Sequence, residues 1–121
     1  MTLPVSTADL EKTAFSLVAS AIESSAVARL SLDNDLNMFA YPGVGFVVVG
    51  IGYQRDRLRP GMIENILKRR FQVPSRFAQW IPAQFADGSF FLLLRIQHNE
   101  RDIAPSPSET ALGNAIALLA P

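Results

Sequence analysis

Residues 80–96 read WIPAQFADGSFFLLLRI, two apolar runs on either side of Asp87-Gly88. An aspartate-glycine pair between apolar runs favours a β-hairpin, because the central positions of a tight two-residue turn accept residues that tolerate positive φ. Pairing outward from that turn sets Phe85 opposite Phe90 and gives one nearly continuous apolar face. Pro82 has no N–H to donate, which predicts that the first strand of the hairpin lies at an edge of its sheet.

Three further strands are predicted upstream of the hairpin. Leu30 and Leu32 alternate with polar neighbours, the period of a half-buried strand, and a second alternating run follows the polar turn at residues 33–35. Residues 44–53 are β-branched and aromatic with glycines at three positions. This composition favours a central strand, with a bulge or a close backbone approach at the glycines.

Three helices complete the pattern. Apolar residues recur at steps of three and four from about Thr7 to Ser24. A second helix is predicted to begin at Pro60 and to end before Pro74, and a third to begin with Ser106 as its N-cap. The order helix, three strands, helix, two strands, helix predicts one α+β domain over residues 1–121, with an antiparallel five-stranded sheet and three helices.

The composition narrows the possible chemistry. The chain has 121 residues, of which 49% are apolar and 18% charged, the balance of a globular domain. It contains no cysteine and one histidine, which excludes a disulfide framework, a thiolate zinc site and a multi-histidine metal site. No apolar run has the length of a membrane helix and residues 1–13 lack the pattern of a signal peptide, so we expect a cytoplasmic protein without cofactor or metal.

Two local features leave alternatives open. His98 lies near Glu100 and Asp102 and so is a candidate general base, although a solvated loop histidine is the simpler explanation. The segment Arg55–Arg76 carries seven cations and two anions, a balance found in nucleic-acid binders. The segment has one aromatic residue, Phe71, and so lacks the interleaved aromatics of a base-stacking platform. Arginines beside a helix more often face solvent or an acidic partner. Nucleic-acid binding is therefore the less favoured hypothesis.

The surplus of apolar side chains indicates a binding surface. The chain holds eight phenylalanines, two tyrosines and one tryptophan. If helices cover one face of the sheet, the other face and the stripe of the second helix are expected to stay apolar and exposed, as at protein interfaces. This predicts a dimer, with a client protein laid across the sheet edge or the apolar patches. A ligand-binding sensor and a structural subunit remain alternatives.

The order of elements, the size and the composition resemble one family. The elements that carry the likeness are an N-terminal amphipathic helix, a short middle helix, a late apolar hairpin and a C-terminal helix. Their residues are Leu10, Leu17 and Ile22; Met62, Ile66 and Phe71; Trp80 to Ile96; and Leu112, Ile116 and Leu119. With these features the chain resembles the class I chaperones of bacterial type III secretion systems, which are small cytoplasmic α+β proteins without a sharp sequence motif.

The resemblance implies a non-catalytic protein that acts through its partners. Members form homodimers, or sometimes heterodimers, and hold the N-terminal segment of an effector in an extended form that stays competent for export. They can also direct the effector to the secretion ATPase. By position, the resemblance implies a dimer contact at Met62, Ile63, Ile66, Phe71 and Trp80. It implies a client contact at Leu30, Leu32, Met38 and Phe39.

Overall fold

The computed structural model describes residues 7–98 and 106–120, which form an antiparallel five-stranded sheet with helices, so the predicted α+β class is confirmed. In chain order the elements are α1 (Thr7–Ser24), β1 (Ala28–Ser31), β2 (Leu36–Pro42), β3 (Phe46–Tyr53), α2 (Met62–Gln72), α3 (Pro74–Phe77), β4 (Ile81–Gln84), β5 (Phe90–Gln97) and α4 (Glu109–Leu119), with a 3-10 turn at Arg55–Arg57. The strand order is β1-β2-β3-β5-β4. The central place of β3 and the edge place of β4 both follow the predictions.

The core lies between the helices and one face of the sheet. The inner strands β2, β3 and β5 bury alternate residues there, because successive side chains of a strand point to opposite faces. The strands contribute Leu36, Met38 and Ala40; Val47, Val49 and Ile51; and Phe90 and Leu92. The helices contribute Leu10, Ala14 and Val18 from α1; Met62 and Ile66 from α2; and Leu112, Ala115 and Leu118 from α4. The opposite face, called here the open face, carries the intervening residues.

Two glycines of β3 allow close approach on the open face. The ring of Phe39, which is paired with Gly50 across β2 and β3, occupies the place where a Cβ of Gly50 would lie. At Gly52 the backbone of β5 fills the corresponding space. The pairing of β3 with both neighbours runs without interruption. The predicted close approach is therefore found at these two positions, and there is no bulge.

The β4–β5 hairpin differs from the prediction by one residue. Gln84 pairs with Phe90 and Ala83 with Phe91. The amide of Phe85 donates to the carbonyl of Ser89 at 2.8 Å, and Gly88 has φ +90°, so the loop has three residues and ends on a left-handed glycine. The predicted pairing of Phe85 with Phe90 is wrong. Because a one-residue shift exchanges the faces of a strand, Phe85 and Phe91 share the open face.

Three helix boundaries also differ. Helix α2 begins at Met62, after Gly61 with φ 80°, and not at Pro60. Pro74 follows the end of α2 but opens α3, a four-residue helix, so the described chain has four helices where three were predicted. The N-cap of α4 is Ser108, whose hydroxyl accepts the amide of Ala111 at 3.1 Å, and not Ser106.

Candidate protein-binding surface

A groove of about 650 Å³ crosses the open face of the sheet. Its floor is an aromatic cluster formed by Phe39, Phe85 and Phe91. The rings of Phe39 and Phe91 meet edge to face with centroids 5.2 Å apart, and those of Phe85 and Phe91 stack at 5.4 Å. Such contacts add to the stability gained from burial. The groove therefore offers a preformed apolar floor drawn from β2, β5 and the hairpin loop.

The rim of the groove is polar and carries one charge of each sign. Arg29 and Asn37 line it on the side of β1 and β2, and Asp87 and Ser89 line it on the side of the hairpin loop. The carboxylate of Asp87 accepts the hydroxyl of Ser89 at 2.6 Å and its amide at 2.9 Å. These bonds hold the pKa of Asp87 below its usual value, and the charge of Arg29 acts in the same direction. A neutral rim around an aromatic floor suits an occupant held mainly by apolar contact.

Beside the groove, the outer edge of β1 has backbone groups that no strand of the described residues pairs with. The amide of Leu32 donates to the carbonyl of Leu36 at 2.7 Å. Bonded and non-bonded pairs alternate in an antiparallel ladder, so the N–H and C=O of Arg29 and Ser31 point away from the sheet. Within the described residues no strand pairs with this edge. Such an edge is a template for a further strand.

The opposite edge of the sheet is a poorer template. The bond between Phe85 and Ser89 places Pro82 and Gln84 at the outward positions of β4 by the same alternation. Pro82 has no N–H, so one donor that an added strand needs is missing from this edge. The two edges are thus unequal, and β1 is the better site for strand addition.

The residues predicted to contact a client separate into two groups. Leu32 and Met38 are each 1% exposed and belong to the core, and Leu30 packs against it, although Leu30 and Met38 also line the groove. Phe39 alone of the four has its ring in the aromatic cluster on the open face. Phe85 and Phe91 are not among the residues predicted to contact a client, and the feature that puts both on one face is the three-residue loop.

The residues predicted to form a dimer also separate. Met62, Ile66 and Trp80 are buried, and Ile63 packs against the core. The indole N–H of Trp80 donates to the carbonyl of Ala111 at 2.8 Å, which fastens α4 to the segment before β4. Phe71 is 85% exposed. Together with Leu67 and Val73, which are also exposed, it forms a surface that we call the α2 patch.

Three cations of the basic segment hold the fold together. The guanidinium of Arg69 donates to the carbonyls of Leu118 and Ala120. The hydroxyl of Tyr53 donates to the carbonyl of Leu119 at 2.9 Å. Both side chains therefore bind free carbonyls at the carboxyl end of α4. Arg70 donates to the carbonyl of Trp80 at 3.0 Å. Arg76 donates to the side-chain oxygen of Asn114 at 2.9 Å and lies over the ring of Phe77. These contacts give the three arginines structural roles that do not require nucleic acid.

The candidate general base lies at the end of β5. The amide of His98 donates to the carbonyl of Gly45 at 3.0 Å, and its Nδ1 has no hydrogen-bond partner among the described residues. Glu100 and Asp102 lie outside the described residues. Over residues 7–98 and 106–120, no group of three or more histidine and acidic side chains is placed to hold a metal ion. No helix in the same part of the chain has the length and apolar character needed to cross a membrane.

Comparison of the sequence with known proteins adds no relative to this description. No family model matches the chain, and the search of curated proteins gives no match.

Proposed function

We propose that this chain is a non-catalytic cytoplasmic chaperone of the type III secretion kind, which holds the N-terminal segment of an effector in an extended form. The observation that carries the proposal is the aromatic groove beside the unpaired edge of β1. An extended chain added to this edge would bond to the outward groups of Arg29 and Ser31. Alternate side chains of that segment would then lie over the open face, where the aromatic cluster can receive one of them.

The balance of forces suits an unfolded client. A segment that becomes ordered on binding loses chain entropy, so its binding needs both apolar burial and main-chain hydrogen bonds. The groove supplies the first and the β1 edge the second, and neither requires covalent chemistry. The element order, which apart from the short helix α3 is the order expected from the family resemblance, supports the same proposal.

The resemblance also predicts self-association, and this part of the proposal concerns another surface. Of the five residues predicted at a dimer contact, Phe71 is the one that is largely exposed. A dimer formed as the resemblance implies would therefore meet at the α2 patch, whose net positive charge disfavours a second copy, whereas client binding depends on the open face.

A second candidate function is a small-molecule sensor that uses the same groove. Its volume of about 650 Å³ lies within the range of ligand pockets, and its floor is aromatic. The polar lining residues include members of β1, β2 and the hairpin loop, a spread that suits a polypeptide better than a small molecule.

The test compares two substitutions at one edge position. Arg29→Pro removes an outward N–H without breaking a bond to β2, whereas Arg29→Ala removes the side chain and keeps the N–H. We expect native mass spectrometry of the tagged protein from its own cells to show a bound polypeptide with the wild type and with Arg29→Ala. Arg29→Pro should lose most of it, by about tenfold for each lost main-chain bond of about 1.4 kcal/mol.

Two outcomes would reject the proposal. Equal retention of the polypeptide by Arg29→Pro would exclude strand addition at β1, provided that circular dichroism shows the variant to be folded. Recovery of a metabolite in place of a polypeptide would favour the sensor. Amide hydrogen exchange gives a second measurement, because a bound client should protect the amides of Arg29 and Ser31, which point outward in the free protein.

A further inference from the structure

The outer surface of α2 is apolar at its centre and cationic around it. Leu67 and Phe71 lie one turn apart, on the same side of the helix, and Val73 follows the helix end. All three are exposed, although an isolated protein gains by burying such side chains. From residue 61 to residue 84 the chain carries one acid, Glu64, and four cations, which are Lys68, Arg69, Arg70 and Arg76.

Among the described residues, no ion pair joins the cations of this surface to a carboxylate, and Glu64 is the one acid on α2. The guanidinium groups of Arg69, Arg70 and Arg76 donate to neutral oxygens, namely backbone carbonyls and the amide of Asn114. Such bonds fix the position of a cation but leave its charge in place. Within the described residues, the ion pairs that the structure shows join Arg57 to Asp35 and to Asp56, outside this surface. The α2 patch therefore lies in a positive field.

This charge pattern discriminates between occupants. A second copy that met the patch across a twofold axis would bring the same cations face to face, and like charges across an interface are unfavourable. A nucleic acid would use the cations and could stack a base on Phe71, but it would leave the exposed Leu67 and Val73 without apolar partners. A protein segment that carries both carboxylates and apolar side chains would satisfy the two features together.

We infer that the α2 patch is the docking site for an acidic amphipathic segment of a partner protein. The apolar side chains of that segment would cover Leu67 and Phe71, and its carboxylates would lie near Lys68 and Arg70. The site is separate from the groove, because α2 packs against α3 and α4 in the helix layer while the groove is on the open face. Docking at α2 is therefore independent of client binding in the groove, and it takes the place of the self-contact that the resemblance implies at Phe71.

The probe for this site is a synthetic helical peptide with leucines along one face and glutamates elsewhere. Its matched partner has the same leucines, with glutamine in place of every glutamate. Fluorescence anisotropy with the full chain should show the acidic peptide binding at least about tenfold more tightly than the glutamine peptide, since several charge pairs of a few tenths of a kcal/mol each are lost.

Substitutions then locate the binding. Phe71→Ser should weaken binding of the acidic peptide by about tenfold or more, as expected when a central apolar contact is removed. Lys68→Glu should weaken it through charge alone. Val44→Ser is the control, because Val44 is 98% exposed in the β2–β3 turn and far along the sequence from α2. It should leave the affinity unchanged.

Several results would overturn the inference. Equal affinity for the two peptides, or an affinity unaffected by Phe71→Ser, would show that the patch does not select an acidic amphipathic segment. Light scattering that shows a wild-type dimer and a Phe71→Ser monomer would assign the patch to a second copy. Displacement of the peptide by an oligonucleotide that binds Phe71→Ser as well as the wild type would assign the cations to nucleic acid. Phe71→Ser is a fair test because so exposed a side chain contributes little to folding.

Discussion

At Gly50, the ring of Phe39 on the neighbouring strand β2 leaves no room for a side chain. The ring fills the space beside the Cα of Gly50, so a methyl group there would force the ring to move. We expect Gly50→Ala to lower the free energy of unfolding by about 1–3 kcal/mol, the usual cost of overpacking. In the Phe39→Ala background the same change should cost nearly nothing, because the space is then empty. Urea denaturation of the wild type, the two single variants and the double variant measures this coupling. Additive effects on the free energy of unfolding would mean that the ring can move freely.

Tyr53 makes stability sensitive to alkaline pH. Burial raises the pKa of Tyr53 above its ordinary value of 10.0, and the charge of Asp35 acts in the same direction, while Arg59 and Arg69 oppose it. Because the folded state prefers the neutral phenol, this contribution to stability is complete below pH 10.0 and is lost as the pH rises through the higher pKa of the folded state. As the pH rises above 10.0, stability should therefore fall more steeply in the wild type than in Tyr53→Phe.

Urea denaturation at a series of alkaline pH values measures this difference in slope. Tyr41→Phe is the matched control. Because Tyr41 is exposed, this variant should show the same steep decline as the wild type. Parallel curves for the wild type and Tyr53→Phe would show that the hydroxyl bonded to Leu119 does not titrate with unfolding.

At the scale of elements, the start of α4 is defined by one of two nearby serines. Ser108 accepts the amide of Ala111, whereas the hydroxyl of Ser106 makes, among the described residues, only a long contact with the carbonyl of Pro107. Ser108→Ala should lower the free energy of unfolding by about 1 kcal/mol, the usual value of an N-cap. Ser106→Ala should change it by less than about 0.5 kcal/mol. Thermal or urea denaturation distinguishes the two variants. A larger loss of stability in Ser106→Ala would identify Ser106 as the N-cap.

The elements that the sequence predicts well are those with a local signal. The limits of α1 follow from its apolar period, and the edge position of β4 follows from Pro82, whose missing N–H is a local property. The hairpin register was not predictable in this way. Asp87-Gly88 suits both a two-residue and a three-residue loop, and the choice depends on the bonds from Ser89 to Asp87. Helix α3 has four residues, which are too few to show the apolar period that would predict a helix.

The site was harder to predict than the fold for the same reason. The aromatic cluster joins Phe39 to Phe85 and Phe91 through contacts between distant strands, and no local pattern records them. An apolar stripe on a helix also does not say which of its members face inward. Ile66 is buried and Phe71 is exposed, and that difference depends on where α2 meets the core.

At the scale of the whole molecule, the two candidate surfaces lie on different layers and depend on different forces. The groove has an aromatic floor and a rim with one charge of each sign. The α2 patch has an apolar centre among cations that no described carboxylate pairs with. Since the sheet separates them, a client on the open face and an acidic partner on α2 can be bound at the same time.

Salt should separate these two binding events. Raising the ionic strength from about 0.1 M to about 1 M shortens the Debye length from about 10 Å to about 3 Å. We expect the affinity for the acidic peptide to fall several-fold over this range, while the affinity for the client recovered with the wild-type protein changes by less than about twofold, because apolar burial and main-chain bonds dominate there. A nucleic-acid ligand would instead show a far steeper linear decline of log affinity with log salt.

The double variant Arg29→Pro, Phe71→Ser should lose each interaction by the same factor as the single variants, since sites far apart act independently. Equal salt slopes for the two ligands, or a Phe71→Ser effect on client affinity, would show that the client crosses both layers and that the two surfaces form one site.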